Sequence, residues 1–231
     1  MIYSSFYYKP MEEVYNYIEN ENELEKERII TEGNNIILRA KGKLKNTALI
    51  YYPGAKVDPL SYVIMLDHIA KNGYRVIIPK MPYRLAIFGI DKAETIIKVN
   101  TDIEEWVLGG HSLGGAMASV FAYDNEELLK ALIIHASYPP QDKNLSNRDF
   151  KILSIYGTED RVIKKDFDSI NKLLPSTAEI VKVKGGNHAQ FGHYGEQSGD
   201  GKALISRKEQ QDIIIESMLE FLDRITNINN R

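Results

Sequence analysis

From residue 47 onward, short apolar runs recur along the chain, and most of them stop at Gly, Pro or Ser. They read TALIYYPG (47–54), YRVIIPK (74–80), EWVLGG (105–110), KALIIHAS (130–137), FKILSIYG (150–157) and AEIVKVKGG (178–186). Apolar runs of this length, bounded by turn residues, predict strands buried on both faces. The stretches between them are helix-like: DPLSYVIMLDHIAKNG, IDKAETIIKVNTD, LGGAMASVFAYDNEELL and IKKDFDSINKLLP, with SRKEQQDIIIESMLEFLDRITN closing the series. Strands alternating with helices predict an α/β fold, a mostly parallel sheet with helices on both faces. Right-handed crossovers then bring the C-terminal ends of the strands to one edge, where ligands bind in such sheets.

Upstream the pattern differs. ERIITEGNNIILRAKG holds two β-rich runs around Gly33-Asn34 and predicts a hairpin. Before it a helix is expected from about Pro10, with Met11, Val14, Tyr15 and Ile18 on one face. The chain then turns almost wholly polar from Asn20 to Arg28. The expectation is a single domain over residues 1–231, with residues 1–28 as a helical extension packed on its edge. Only 12 residues, Tyr138 to Asp149, separate the strand ending at Ser137 from the one starting near Phe150. That gap is too short for an inserted helical lid, so the site is expected to be open or covered only by loops.

Composition narrows the function classes. The formal charge is −3, from 29 basic and 32 acidic residues, and the basic residues are scattered. Neither nucleic acid nor an anionic membrane is therefore an expected partner. The chain has no cysteine, which removes disulfides, thiolate nucleophiles and Cys-ligated metals together. No basic start followed by an apolar run opens the sequence, and no stretch approaches the ~18–20 apolar residues of a membrane span. The expected location is the cytoplasm.

Candidate chemistry sits where the strand EWVLGG gives way to a run of small residues. Gly110-His111-Ser112-Leu113-Gly114 fits G-x-S-x-G. A serine raised on a strained strand-to-helix turn needs neighbours without side chains two before and two after it. Gly110 and Gly114 meet that need, and Gly115, Ala116 and Ala118 keep the helix start slim. The competing readings are an incidental serine in a tight turn, or a phosphate-binding turn. No GK[ST] follows and no G-x-G-x-x-G is present, which weakens the second.

A serine nucleophile needs a base and a group that orients the base. Of five histidines, His68 reads as a packing residue in a helix and His135 as buried in a strand. The side chain of His111 should point away from the nucleophile. His188, directly after GGN at the end of the last strand, is the expected base, with His193 in reserve. Asp160, in the loop after SIYG, is the expected acid; Glu159 is the alternative and Asp142 a weaker one. The order Ser, Asp, His is the one α/β-hydrolases use. Asp160 could equally cap a helix, and the roles can coexist. Two N–H donors are needed for the oxyanion. Leu113 should supply one and Ala55, after Pro53-Gly54, the other, with Lys56 second.

GGHSLGGAMA, YGTEDRV and GGNHAQFGHYGEQSGDG resemble the α/β-hydrolase superfamily, and in particular its lidless, dienelactone-hydrolase-like bacterial branch. YYPGAKVDPLSY and VIIPKMPYRLAIFG are similar to that branch too, so the likeness runs from about Thr47 to the C-terminus. The resemblance implies the α/β-hydrolase fold, with nucleophile, acid and base at Ser112, Asp160 and His188 and oxyanion amides at Leu113 and Ala55. It departs in two ways. Pro53 stands where many esterases carry the histidine of an HG motif, and the nucleophile is serine where dienelactone hydrolases use cysteine.

The expected function is a serine hydrolase acting on a carboxylic ester or related acyl compound, a small molecule, with no metal or organic cofactor. Acyl transfer or peptidase action on the same triad, or a non-catalytic binder on a hydrolase scaffold, are the alternatives. Tyr83, Arg84, Phe88, Gln190, Tyr194 and Gln197 lie in loops expected to face the site, with Lys80 just before the first of them.

Overall fold

The computed structural model describes residues 6–227. In chain order its elements are α1 (Glu12–Leu24), β1 (Ile29–Glu32), β2 (Asn35–Leu38), β3 (Thr47–Tyr52), α2 (Val63–Ala70), β4 (Arg75–Pro79) and α3 (Lys92–Val99). They continue with β5 (Glu105–His111), α4 (Leu113–Asp124), β6 (Ala131–His135), β7 (Lys151–Gly157), α5 (Phe167–Asn171), β8 (Glu179–Val183) and α6 (Arg207–Asn227). The strands form one sheet in the order β1-β2-β4-β3-β5-β6-β7-β8. The hairpin β1–β2 pairs antiparallel within itself and with β4. All other pairings are parallel. After β3 the chain first moves to one side, to β4, and then to the other, to β5. The reversal opens a crevice at the C-terminal ends of β3 and β5, and β5 delivers Ser112 there.

Each central strand is buried on both faces because its side chains alternate between two cores. Leu49 and Tyr51 of β3 enter the core closed by Val14 of α1, by α2, and by Ile214, Met218 and Phe221 of α6. Ala48, Ile50 and Tyr52 enter the opposite core, with Ala93 and Ile96 of α3 and Met117 and Phe121 of α4. No helical lid interrupts β6 and β7: their connection carries a short 3-10 turn, Gln141–Lys143. Among the described residues no helix is long and apolar enough to cross a membrane.

Two sequence expectations change. The helix expected over 163–175 shrinks to α5, because Asp166 caps it by accepting from Ser169 N at 2.8 Å and Pro175 follows its end. On α2 it is Asp67 that is fully buried, while His68 is exposed. The polar run to Arg28 carries the contacts that hold the N-terminal helix in place. Arg28 pairs with Asp67, with Nη1 to Oδ1 at 2.5 Å, and donates to Glu21 at 2.8 Å. Tyr17 donates to the same Asp67 carboxylate at 2.6 Å. This buried cluster docks α1 on α2 by charge and hydrogen bonds, which an apolar-face reading of residues 11–18 does not show.

Candidate active site

Ser112 has φ 54° and ψ −123°, in the left-handed half of backbone space where a residue with a Cβ is strained. The strain is held by its surroundings. The Ser112 N–H donates to the His135 carbonyl at 3.0 Å, and its own carbonyl accepts from Ser137 Oγ at 2.6 Å and from Ala116 N at 3.0 Å. The flanking glycines leave no choice. A Cβ on Gly110 would lie 2.5 Å from the Gly114 carbonyl carbon, and one on Gly114 would lie 2.1 Å from the Tyr52 oxygen. Gly115 is equally constrained, 2.7 Å from the Gly110 oxygen and from Ser137 Cβ. The turn is therefore built on the two positions expected from the motif and on one more.

The acid and base loops meet at a second point on the same sheet edge. His188 Nδ1 and Asp160 Oδ2 lie 2.8 Å apart, with neither side chain exposed. The other oxygen, Oδ1, accepts the N–H groups of Val162 at 2.9 Å and Ile163 at 3.0 Å. Asp160 therefore meets His188 through one oxygen and closes a turn through the other; it caps no helix, because the next one, α5, starts at Phe167 and is capped by Asp166. With a carboxylate as acceptor, the bridging proton belongs to Nδ1, and the neutral ring keeps a lone pair on Nε2. That Nε2 is buried and has no hydrogen-bond partner among the described residues, so the Ser112 hydroxyl is not bonded to it in this conformation.

The competing acids and bases are directed elsewhere. Glu159 lies 3.6 Å from Arg161 and accepts from Thr158 Oγ1. Asp142 is exposed on the 3-10 turn after β6. His193 Nε2 lies 3.6 Å from Glu13 of α1, and its Nδ1 lies 3.4 Å from Gln211 of α6. Burial first, and then the Arg207 charge, push its pKa down to about 4.

The His111 ring lies beneath the base rather than in solvent. Its centroid is 4.5 Å from that of His188, and it stacks on Phe191 at 5.4 Å. Gly54 N–H donates to Tyr62 Oη at 3.0 Å, so the Tyr62 hydroxyl proton is free to go to His111 Nδ1, 2.9 Å away. Burial, together with the nearby His188 and His135, keeps the His111 pKa well below its ordinary value. His135 is buried in β6 as expected, 2.8 Å from Tyr51 Oη, and burial takes its pKa to about 3. Tyr62 and Phe191 carry no sequence signature; only the fold brings them to the elbow.

On the oxyanion side, the Lys56 N–H donates to the Arg84 carbonyl at 2.8 Å, which removes it as a donor to substrate. The N–H groups of Ala55 and Leu113 have no acceptor among the described residues. Beside this loop opens a cavity of about 360 Å³, lined by Pro53, Val57, Leu60, Lys80, Met81 and Arg84 among others. Tyr83 and Phe88 pack edge to face nearby and are exposed. Tyr194 is buried, with its ring 5.4 Å from that of Tyr8 and 6.4 Å from that of His111, and its hydroxyl donates to Gln197. Gln190 donates to the Ile205 carbonyl at 3.2 Å. Among the described residues no group of three His, Asp or Glu side chains is placed to hold a metal ion.

The model of the Alpha/beta hydrolase family matches residues 48–212, from β3 into α6. The chain belongs to that family. Solved structures agree on the fold of this α/β-hydrolase. An alpha/beta hydrolase enzyme from a sediment metagenome of the Mar Chica lagoon, Morocco, superposes with a TM-score of 0.62 at 16% identity, covering 83% of this chain and 98% of the other. A structure reported for LipS and LipT, two metagenome-derived lipolytic enzymes, gives 0.60 at 14% identity, over 81% and 97%. Acyl-protein thioesterase 2 of Zea mays gives 0.58 at 16% identity, over 83% and 100%. No curated protein matches the chain.

Proposed function

We propose that this α/β-hydrolase cleaves a carboxylic ester or related acyl compound, a small molecule, with Ser112 as nucleophile, His188 as base and Asp160 as the group that orients the base. The observation that carries this reading is the elbow itself. Ser112 is kept in a strained conformation by glycines that tolerate no Cβ, on the sheet edge that also bears a buried Asp160–His188 pair. Such strain persists only where the surroundings over-determine it, and it clusters at functional sites. The lipolytic and thioesterase activities named for two structures of the same fold are compatible with acyl chemistry.

In this mechanism a rotation of the Ser112 side chain brings Oγ to His188 Nε2. Nε2 takes the hydroxyl proton as Oγ adds to the acyl carbon, and the carbonyl oxygen becomes an oxyanion facing the N–H groups of Leu113 and Ala55. Collapse expels the leaving group, which takes the proton from Nε2 and leaves an acyl-serine. Water then gives a proton to Nε2 and adds to the acyl carbon. Loss of Ser112 Oγ, reprotonated by His188, frees the acid. Asp160 stays ionised and stabilises the imidazolium in both halves. The test is a fluorophosphonate probe with peptide mapping, alongside a panel of esters varied in acyl length and charge. The expected result is one phosphonyl group on Ser112 and loss of ester hydrolysis in step with labelling. Modification of a different serine, or none at any pH, overturns the reading.

A further inference from the structure

The segment GEQSGDG, residues 195–201, belongs to the stretch that resembles the hydrolase superfamily, yet none of its side chains has a part in the steps above. Its geometry gives it one. Asp200 Oδ2 accepts the N–H of Ala189, the residue after the base, at 2.8 Å. Its Oδ1 accepts the N–H of Arg161, the residue after the acid, at 3.3 Å, and the N–H of Gly201 at 2.8 Å. One carboxylate therefore holds two loops that approach each other only in the folded chain. The flanking glycines make this possible. Gly199 has φ +83°, and a Cβ on Gly201 would lie 1.9 Å from the Glu159 carbonyl oxygen, so the segment presses on the acid loop as only glycine can. Asn187 Nδ2 closes the ring by donating to the Gly201 carbonyl at 2.8 Å.

Resting on the triad reading, we infer that Asp200 is a positioning residue that sets the Asp160–His188 pairing by clamping the residue that follows each of them. The chemistry selects a carboxylate. Both of its oxygens accept, and all three partners are N–H donors. An amide offers one accepting oxygen and turns an NH₂ toward the N–H groups on its other side. Asp200→Asn should therefore keep one loop and release the other, while Asp200→Ala releases both. A misplacement of about 1 Å among reacting groups can cost on the order of 10²-fold in rate.

The experiment compares wild type, Asp200→Asn, Asp200→Ala and the neighbouring control Lys202→Ala, each scored for folding by thermal melt. Steady-state ester kinetics are measured together with the low-field proton NMR signal of the Nδ1–H shared by His188 and Asp160. Both Asp200 variants are expected to lose roughly 10- to 100-fold in kcat with KM changed less than about threefold. Their low-field signal should shift or broaden in the folded protein, and Lys202→Ala should match wild type in every readout. General destabilisation would lower the melting temperature without altering that signal in the folded fraction. If Ser112 is labelled in wild type and both Asp200 variants keep wild-type kcat and the low-field signal, the positioning role is wrong and the triad stands. If the wild type is not labelled at Ser112, the triad reading falls and the inference goes with it.

Discussion

Ser112 and its neighbours carry the sharpest demands in the molecule, and these demands are local. Ser112→Ala should lower kcat by on the order of 10⁴-fold while leaving the melt unchanged, because only Oγ is removed and the bonds that hold the turn go to the Ser112 N–H and carbonyl. Gly110→Val should fail by another route, since its first side-chain carbon meets the Gly114 backbone at 2.5 Å. About 3 kcal/mol of stability should go with the activity, read by denaturant unfolding. His193→Ala is the discriminating histidine variant. Its ring faces Glu13 and Gln211, so hydrolysis should persist; full loss in His193→Ala with activity kept in His188→Ala would reverse the assignment of the base. The elbow was legible in the sequence because its rule spans only a few neighbouring positions. Asp200 was not. Its partners lie 11 and 39 positions away, and no local pattern announces a carboxylate that bridges two loops.

At the scale of elements, the strands were legible for a simple reason: a strand buried on both faces is a continuous apolar run. Five such runs became β3 to β7, and the sixth became β8, a partly exposed strand at the sheet edge. The helices were harder. On α2 the residue that packs is Asp67 and not His68, and nothing local marks it, because a buried carboxylate looks like a solvated one until its arginine is found 39 positions upstream. Element junctions also place the oxyanion loop. Tyr62, where a 3-10 turn gives way to α2, holds Gly54 N–H on one side and His111 on the other, so a single hydroxyl ties the loop carrying Ala55 to the elbow. Tyr62→Phe removes that hydroxyl and leaves the Gly54 donor buried without a partner. Stability should fall by about 1–3 kcal/mol. Looser placement of Ala55 should appear in kcat, about tenfold lower, with KM little altered. Equal kcat in wild type and Tyr62→Phe would show that the hydroxyl does not position the loop.

The whole molecule adds a constraint that no single element shows: it buries several histidines in neutral form. Burial takes His193 to about 4 and His135 to about 3, and holds His111 well below its ordinary value. In the unfolded chain each returns to about 6.5. Between those limits the unfolded state binds more protons than the folded one, so stability rises with pH across that window. The contribution is fully present above about pH 6.5 and is lost as pH falls toward 4 and then 3, at up to roughly 1.4 kcal/mol per pH unit for each histidine. Unfolding free energies measured by denaturant from pH 7.5 to 5 should therefore decline steeply. His193→Gln, which cannot titrate, should flatten the decline by one histidine's share. Catalysis should respond in a different way. His193, His135 and His111 stay uncharged in the folded enzyme over this range, so none of them should contribute to the pH dependence of kcat/KM. An unfolding free energy independent of pH between 7.5 and 5 would mean that these rings gain protons without unfolding. A pH profile of kcat/KM that His193→Gln alters would mean that this ring titrates in the folded enzyme. Either result would break the separation between the histidines that hold the fold and the one that works in it.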